Sequence, residues 1–447
     1  MTGQHLLVKK SNPLHGSAHV HGAKNAVLVI MTSLILTNGI SVLENVPNNT
    51  DVLLMVTLLE HLGATVTFDT ATKQLTVDTR GISKCDVPQD IMNKIRASIL
   101  VMGPLLARFG AADVAMPGGD LIGMRPINYH LEGFKRLGAT IEVHLPYVSA
   151  HLDRTAAIPA AVRISLEYPS VGATENILML ACTRNTHTTI INAALEPEVI
   201  DLIDVLNKMG ANIQVGPATI DIRGVPSLNP IHHTIIPDRL EAGTLLIAAA
   251  ITGGSIAIPN ARPDHLDTFL EKLRAMGHTI VTGFDQEERM ALGVTLKATQ
   301  TPRAITVKTA PYPGFPTDLQ PLITAALCTA QGISVVEETV YENRMMYTKG
   351  LAKMGAQISV EGSVATVRGV DMLYGSEVIA ADLRASCSFL LAGLVAEGET
   401  RIAGIHHLLR GYDGLDSKLC ALGAQVQLMS DMPIADSSQQ KAQISLL

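Results

Sequence analysis

The sequence predicts an α/β protein assembled from six copies of one βαβαββ unit. Three observations predict it: a recurring pentapeptide, a switch of hydrophobic period across that pentapeptide, and a small-residue apolar run upstream of each copy. Leu62-Gly63-Ala64-Thr65-Val66 returns as Leu137-Gly138-Ala139-Thr140-Ile141 and Met209-Gly210-Ala211-Asn212-Ile213. It returns again as Met276-Gly277-His278-Thr279-Ile280, Met354-Gly355-Ala356-Gln357-Ile358 and Leu422-Gly423-Ala424-Gln425-Val426. The glycines stand about 70 residues apart. Ordinary solenoid repeats are shorter, so each unit is closer to a small subdomain.

Each copy closes a helix and opens a strand. The run Val56-Thr57-Leu58-Leu59-Glu60-His61-Leu62 is amphipathic and stops at Gly63, a residue suited to a left-handed helix end. Alternation follows, as in Thr65-Val66-Thr67-Phe68-Asp69, and residues 213–222 continue as a hairpin. Upstream lie a small-residue helix and a short strand, for example residues 245–250 before Ile256-Ala257-Ile258, and residues 390–395 before Thr400-Arg401-Ile402. The unit therefore reads strand, helix, strand, helix, strand, strand.

At 447 residues, 47% hydrophobic and 17% charged, the chain has material for two or more domains and a large core. Aromatics make up 3% and Trp is absent, which argues against a stacking platform for single-stranded nucleic acid. A net charge of -7 without long runs argues against a nucleic-acid or membrane-surface role. The richest apolar run, residues 26–36, is interrupted by Thr32 and Ser33 and is too short to cross a bilayer. Residues 1–5 lack the basic-then-apolar pattern of a signal peptide. Cys85, Cys182, Cys328, Cys387 and Cys420 have no metal-ligand spacing, and Cys182, Cys328 and Cys387 sit in apolar helical patterns. Reduced thiols in a cytoplasmic protein, with no metal and no membrane insertion, are expected.

Chemistry is expected in Met116-Pro117-Gly118-Gly119-Asp120-Leu121-Ile122-Gly123-Met124-Arg125-Pro126. Glycines give this loop freedom to rearrange, prolines stiffen its ends, and it carries one acid and one fixed cation. Such a segment suits a lid over an anionic substrate. The first helices of the six units open on Ala23-Lys24-Asn25, Arg96-Ala97-Ser98, Ser170-Val171-Gly172-Ala173-Thr174, Asp238-Arg239, Thr317-Asp318 and Asp382-Leu383-Arg384-Ala385-Ser386. Asp238, Thr317 and Asp382 read as helix caps. Lys24, Arg96 and Arg384 do not, because a cation at a helix N-terminus is unfavourable unless something negative binds there.

With these residues the chain resembles the enolpyruvyl transferase family, specifically the branch acting on UDP-N-acetylglucosamine at the opening of bacterial cell-wall precursor synthesis. The likeness runs from about residue 7 to about residue 428. It rests on Gly22-Ala23-Lys24-Asn25-Ala26, Arg96-Ala97-Ser98-Ile99, residues 116–126, Ser170-Val171-Gly172-Ala173-Thr174, Phe315-Pro316-Thr317-Asp318, Glu342-Asn343-Arg344, Asp382-Leu383-Arg384-Ala385-Ser386 and Arg410-Gly411-Tyr412. The resemblance implies a two-lobed inside-out α/β barrel, three units per lobe, with helices inside and sheets outside. The first lobe would span residues 24–236 and carry the catalytic loop 111–126; residues 1–23 and 237–447 would form the second. The substrates would be phosphoenolpyruvate and UDP-N-acetylglucosamine, with no cofactor.

The resemblance further implies Asp120, Lys24, Asp318 and Arg410 as the catalytic group. Asp120 would donate a proton and Asp318 would contact the sugar hydroxyl. Lys24, Arg125 and Arg410 would clamp phosphoenolpyruvate, with Asn25 and Arg384 beside them, because guanidinium forks match oxyanions. Arg96, the segment Arg125-Pro126-Ile127-Asn128-Tyr129, the amides of Ser170, Val171 and Gly172, and Val340 would hold the nucleotide sugar. The chain departs from the family at Asp120, where a cysteine is usual, at Tyr168-Pro169, where a lysine is common, and at Asn128, where an acid is common. Within enzymes the rival is the shikimate-pathway transferase, against which Lys24-Asn25-Ala26 and Gly118-Gly119-Asp120 speak. The rival from another class is a non-catalytic nucleotide-sugar binder.

Overall fold

A computed structural model of the protein describes residues 4–118, 122–123, 126–153, 155–285 and 290–430. Among the described residues the strands form six four-stranded sheets. Every sheet has one plan. Two parallel strands are followed by two antiparallel ones, which in five sheets are a hairpin whose second strand lies inside, as in Ala161–Ser165, His187–Ile191, Thr219–Arg223 and Asn212–Gly216. The recurring pentapeptide is the hinge of each unit. Its glycines, Gly63, Gly138, Gly210, Gly277, Gly355 and Gly423, all take positive φ, between 92° and 110°. That conformation costs a residue with a side chain more than it costs glycine, so the repeat is fixed where the helix must turn into the strand.

Three units are completed by borrowed strands. His232–Thr234 runs parallel to Ile40–Glu44, so the first sheet is finished by chain that has already traversed three units. His15–Ser17 pairs in parallel with Ser255–Ile258. Gln4–Lys9 inserts between Glu399–Ala403 and Gln425–Ser430, antiparallel to both. Where the chain crosses between halves its two passages touch: Ala23 N donates to Ile236 O at 2.7 Å, and Asp238 N to His21 O at 2.8 Å.

The two helices of a unit differ by composition. The first, such as Lys24–Ser33, Val171–Ala181, Arg239–Thr252 and Leu383–Gly393, is buried nearly all round. A helix apolar on every face belongs inside a core. The second, such as Thr50–Leu62, buries only one stripe, including Val52, Met55, Leu58, Leu59 and Leu62. The sheets alternate buried and accessible positions, as in Gln74–Asp78, so they cover the helices from outside. The buried apolar side chains fall into two clusters, one from Ala23 to Ile235, the other from Leu6 to Val20 with Leu240 to Val426. This is a two-lobed inside-out α/β barrel. Cys182, Cys328 and Cys387 are buried within these clusters. No helix among the described residues is long and apolar enough to cross a membrane.

Candidate active site

Thr50–Leu62 opens on Asn49, whose side chain accepts the Val52 amide at 3.0 Å. Asp51 follows in the first turn, where a carboxylate favours the positive end of the helix dipole. It also receives two cations. Lys24 Nζ lies 3.0 Å from Oδ2, and Arg410 Nε lies 2.9 Å from Oδ1. Asp51's side chain is 3% exposed, so this triad is almost sealed. Lys24 begins the first helix of the first half, and Arg410 sits in His406–Gly411 of the second. One carboxylate thus ties the halves together.

Asp318 lies in the short turn Thr317–Leu319 and also holds two cations: Arg344 Nη2 at 2.6 Å and Arg384 Nη2 at 2.8 Å. Burial alone would raise the Asp318 carboxyl. The guanidiniums of Arg384 and Arg344, with Lys24 contributing, instead hold it well below the usual carboxylate range. Lys24 therefore links the two clusters electrostatically. Arg384 is fixed from behind: Nη1 donates to Tyr412 Oη at 2.7 Å, and Tyr412 Oη meets Thr244 Oγ1 at 2.7 Å. Asp382 caps that helix, accepting Arg384 N and Ala385 N at 2.8 and 3.0 Å.

The helix openings behave as expected at two of the three proposed caps. Asp238 accepts Leu240 N at 2.7 Å and Glu241 N at 3.1 Å, and Asp382 caps as described. Thr317 does not cap; its hydroxyl donates to Glu338 Oε2 at 2.9 Å. Pro316 occupies the cap position and Thr317 is the first residue of the turn, so its hydroxyl turns to the buried carboxylate instead. The expectation that Lys24 and Arg384 need a negative partner is met inside the protein, by Asp51 and Asp318.

Arg96 belongs to a third group. Its Nη1 donates to Pro117 O at 3.4 Å, and its charge reaches the buried His130. Asn176 Nδ2 lies 3.0 Å from His130 Nδ1. Because Gly103 N donates to Asn176 Oδ1 at 2.7 Å, the amide's donor end faces the imidazole, so Nδ1 is an acceptor. Burial, and next the Arg96 charge, pull His130 down from 6.5 to about 3, leaving it neutral. The ring packs beneath Gly172; a Cβ there would stand 3.3 Å from His130 Cε1. Ser170 caps this helix through Ala173 N at 3.4 Å. Nearby in sequence, Ile127 is buried, Tyr129 is half-buried, and Pro126 and Asn128 are exposed, as is Asn25.

The glycine-rich loop is anchored at both ends. Met116 N donates to Pro146 O at 2.7 Å and Gly118 N to Met92 O at 3.1 Å. On the far side Asn343 N donates to Ile122 O at 3.0 Å, joining the loop to the other half. Gly123 has φ +154°, a conformation that strains a residue with a side chain, and a Cβ there would come within 2.2 Å of Glu342 Oε2, so that carboxylate would have to move aside. Asp120 and Arg125 lie outside the described residues. Val340 N is occupied by Glu338 Oε1 at 2.8 Å.

Sequence reasoning missed Asp51, Arg344 and Glu338. Asp51 reads as an ordinary first-turn acid, and its two cations come from residues 24 and 410. Arg344 stood in the quoted segment Glu342-Asn343-Arg344 without a role. Nothing in the sequence marks Glu338 apart from its neighbour Glu337. Among the described residues no group of three or more His, Cys, Asp or Glu side chains could hold a metal ion.

Comparison with known proteins identifies the family. The family model of EPSP synthase (3-phosphoshikimate 1-carboxyvinyltransferase) matches residues 8–419. A UDP-N-acetylglucosamine 1-carboxyvinyltransferase 1 from Caldanaerobacter subterraneus subsp. tengcongensis is 45% identical over 94% of this chain and 98% of its own. One from Halorhodospira halophila is 43% identical over 96% of this chain and 100% of its own. Among solved structures, the enolpyruvyl transferase NikO from Streptomyces tendae superposes with a TM-score of 0.85 at 25% identity, covering 97% of this chain and 100% of that one. EPSP synthase from Acinetobacter baumannii, 17% identical, shares the fold with a TM-score of 0.73 over 95% of this chain and 100% of its own. The chain therefore belongs to the EPSP synthase family of enolpyruvyl transferases, on the branch of the UDP-N-acetylglucosamine 1-carboxyvinyltransferases.

Proposed function

We propose that this protein transfers the enolpyruvyl group of phosphoenolpyruvate to the 3-hydroxyl of UDP-N-acetylglucosamine and releases phosphate. The supporting observation is that Lys24 and Arg410, from opposite halves, meet on Asp51 while Lys24 also acts on the Asp318–Arg344–Arg384 cluster. That is a cationic site for a small polyanion with a carboxylate at its edge. The lobes, residues 24–236 and residues 1–23 with 237–447, close over it.

The reaction needs a proton on the methylene carbon, addition of the sugar oxygen to the neighbouring carbon, and loss of phosphate with a methyl proton. Asp120, on the loop, supplies the first proton. Lys24, Arg125 and Arg410 hold the oxyanions, with Asn25 and Arg384 beside them. Asp318 accepts the hydroxyl proton. Held by two guanidiniums it is a weak base; once phosphoenolpyruvate draws Arg384 to its own oxyanions, Asp318 loses a partner and its basicity rises. Substrate binding thereby switches the base on. Arg96, residues 126–129, the amides of 170–172 and the Val340 segment hold the nucleotide sugar.

The test is phosphate release on mixing phosphoenolpyruvate with each acceptor. UDP-N-acetylglucosamine is expected to support turnover and 3-phosphoshikimate not. Turnover with 3-phosphoshikimate alone would reassign the acceptor, and none with either would favour a binding protein.

A further inference from the structure

Glu338 follows the strand Ile333–Glu337 and is 3% exposed. A carboxylate buried to that degree must be satisfied by donors, and here four donors reach it. Oε1 accepts Val340 N at 2.8 Å, Thr309 Oγ1 at 3.0 Å and Tyr341 N at 3.1 Å; Oε2 accepts Thr317 Oγ1 at 2.9 Å. The donors come from three separate segments. Thr309 follows the edge strand Thr306–Lys308, Thr317 immediately precedes Asp318, and Val340 and Tyr341 begin the loop that reaches Arg344. Thr309 reinforces the join, because its hydroxyl accepts Thr339 N at 2.8 Å and its carbonyl accepts Thr339 Oγ1 at 2.6 Å.

Asp318 and Arg344, 2.6 Å apart, are thus carried on two segments gripped from behind by one carboxylate. The same loop, two residues past Tyr341, donates Asn343 N to Ile122 O of the glycine-rich loop. We propose that Glu338 is a positioning residue: it sets the spacing between the Asp318 turn and the 340–344 loop, and so orients the acceptor sugar. This rests on the function proposed above. Glu338 does not touch substrate; it acts through Thr317 on Asp318 and through the 340–341 amides on the sugar-facing loop.

Three substitutions separate orientation from mere stability. In Glu338→Gln the amide oxygen still accepts Val340 N and Tyr341 N, and the amide NH2 donates to Thr317 once that hydroxyl rotates. Activity within about threefold of wild type is expected, since no bond need be lost. In Glu338→Ala the two amides lose their acceptor. The KM for UDP-N-acetylglucosamine is expected to rise about tenfold and kcat to fall about tenfold, with the KM for phosphoenolpyruvate within about twofold, because its clamp lies elsewhere. Thr317→Val cuts only the link to Asp318 and should lower kcat about fivefold with little change in either KM.

Three results would overturn the proposal: unchanged constants in Glu338→Ala, a proportional loss of active sites with both KM values at wild type, or wild-type kcat in Thr317→Val. If Glu338→Ala does not fold, Thr317→Val decides. If wild-type protein releases no phosphate with either acceptor, the function fails instead. Calorimetry with UDP-N-acetylglucosamine then reads this proposal, with equal affinity in wild type and Glu338→Ala refuting it.

Discussion

Asp51 and Asp318 are built alike and placed differently. Each carboxylate holds two cations at 2.6–3.0 Å, one of them from the first turn of a central helix. Asp51's side chain is 3% exposed, whereas that of Asp318 is 28% exposed. A sealed counter-ion keeps its cations aimed and cannot easily exchange them. A counter-ion at an opening can give them up to an incoming anion and become a base. The pair teaches that ion-pair geometry does not reveal a role until access is added. In the proposed reaction Asp51 fixes the clamp and Asp318 works in it.

Replacing Asp318 breaks that comparison most sharply. Asp318→Asn should lower kcat/KM about a thousandfold, within the usual range for removing a general base, and should also lower stability, because Arg344 and Arg384, 3% and 6% exposed, lose a counter-ion. A large stability loss with full residual activity would put Asp318 with Asp51. The mirror experiment is Asp51→Asn. Two nearly buried cations lose their partner, a change that typically costs about 3–5 kcal/mol, so denaturant unfolding should show a large loss. Phosphoenolpyruvate should restore more stability in this variant than in wild type, since its oxyanions replace the missing charge. Equal stabilisation of both proteins would mean that Lys24 and Arg410 do not meet the substrate.

The loop acid sharpens the comparison from a third side. A carboxyl has a reference pKa of about 3.9 against about 8.5 for a thiol, so with Asp120 as proton donor, activity should fall as pH rises. Asp120→Cys should extend activity to higher pH and make the protein susceptible to alkylation by the epoxide fosfomycin; Asp120→Asn should be slow throughout. A flat wild-type rate from pH 6 to 9, or covalent labelling of wild type by fosfomycin, would exclude that role for Asp120.

His130 gives the smallest effect and a clear sign. Its folded-state value, about 3, lies below the ordinary 6.5, so the unfolded chain binds more protons between those limits. Stability contributed by neutral His130 is present above pH 6.5 and is lost as pH falls toward 3. His130→Gln should flatten this part of the stability–pH curve without moving the pH–rate profile between 7 and 9. Asp318 has the same sign for a different reason: neighbouring guanidiniums depress its carboxyl, so its contribution holds above the ordinary carboxylate range and disappears only in stronger acid.

Sequence pattern determined a great deal. The six glycine-centred pentapeptides, the apolar first helices and the alternating hairpins specify the repeat, because helix ends and strand faces are local properties. The resemblance then supplied Lys24, Asp318, Arg384 and Arg410 as members of one site. Partnership was beyond sequence. That Asp51 holds residues 24 and 410, that Glu338 rather than a helix amide takes the Thr317 hydroxyl, and that residues 4–9 complete a sheet with residues 399–430 are contacts across the chain. Burial also changes what a residue is chemically: it decides which of two similar aspartates is sealed and which histidine stays neutral. Local rules fix the units, but only their packing sets distances, access and dielectric between groups hundreds of residues apart.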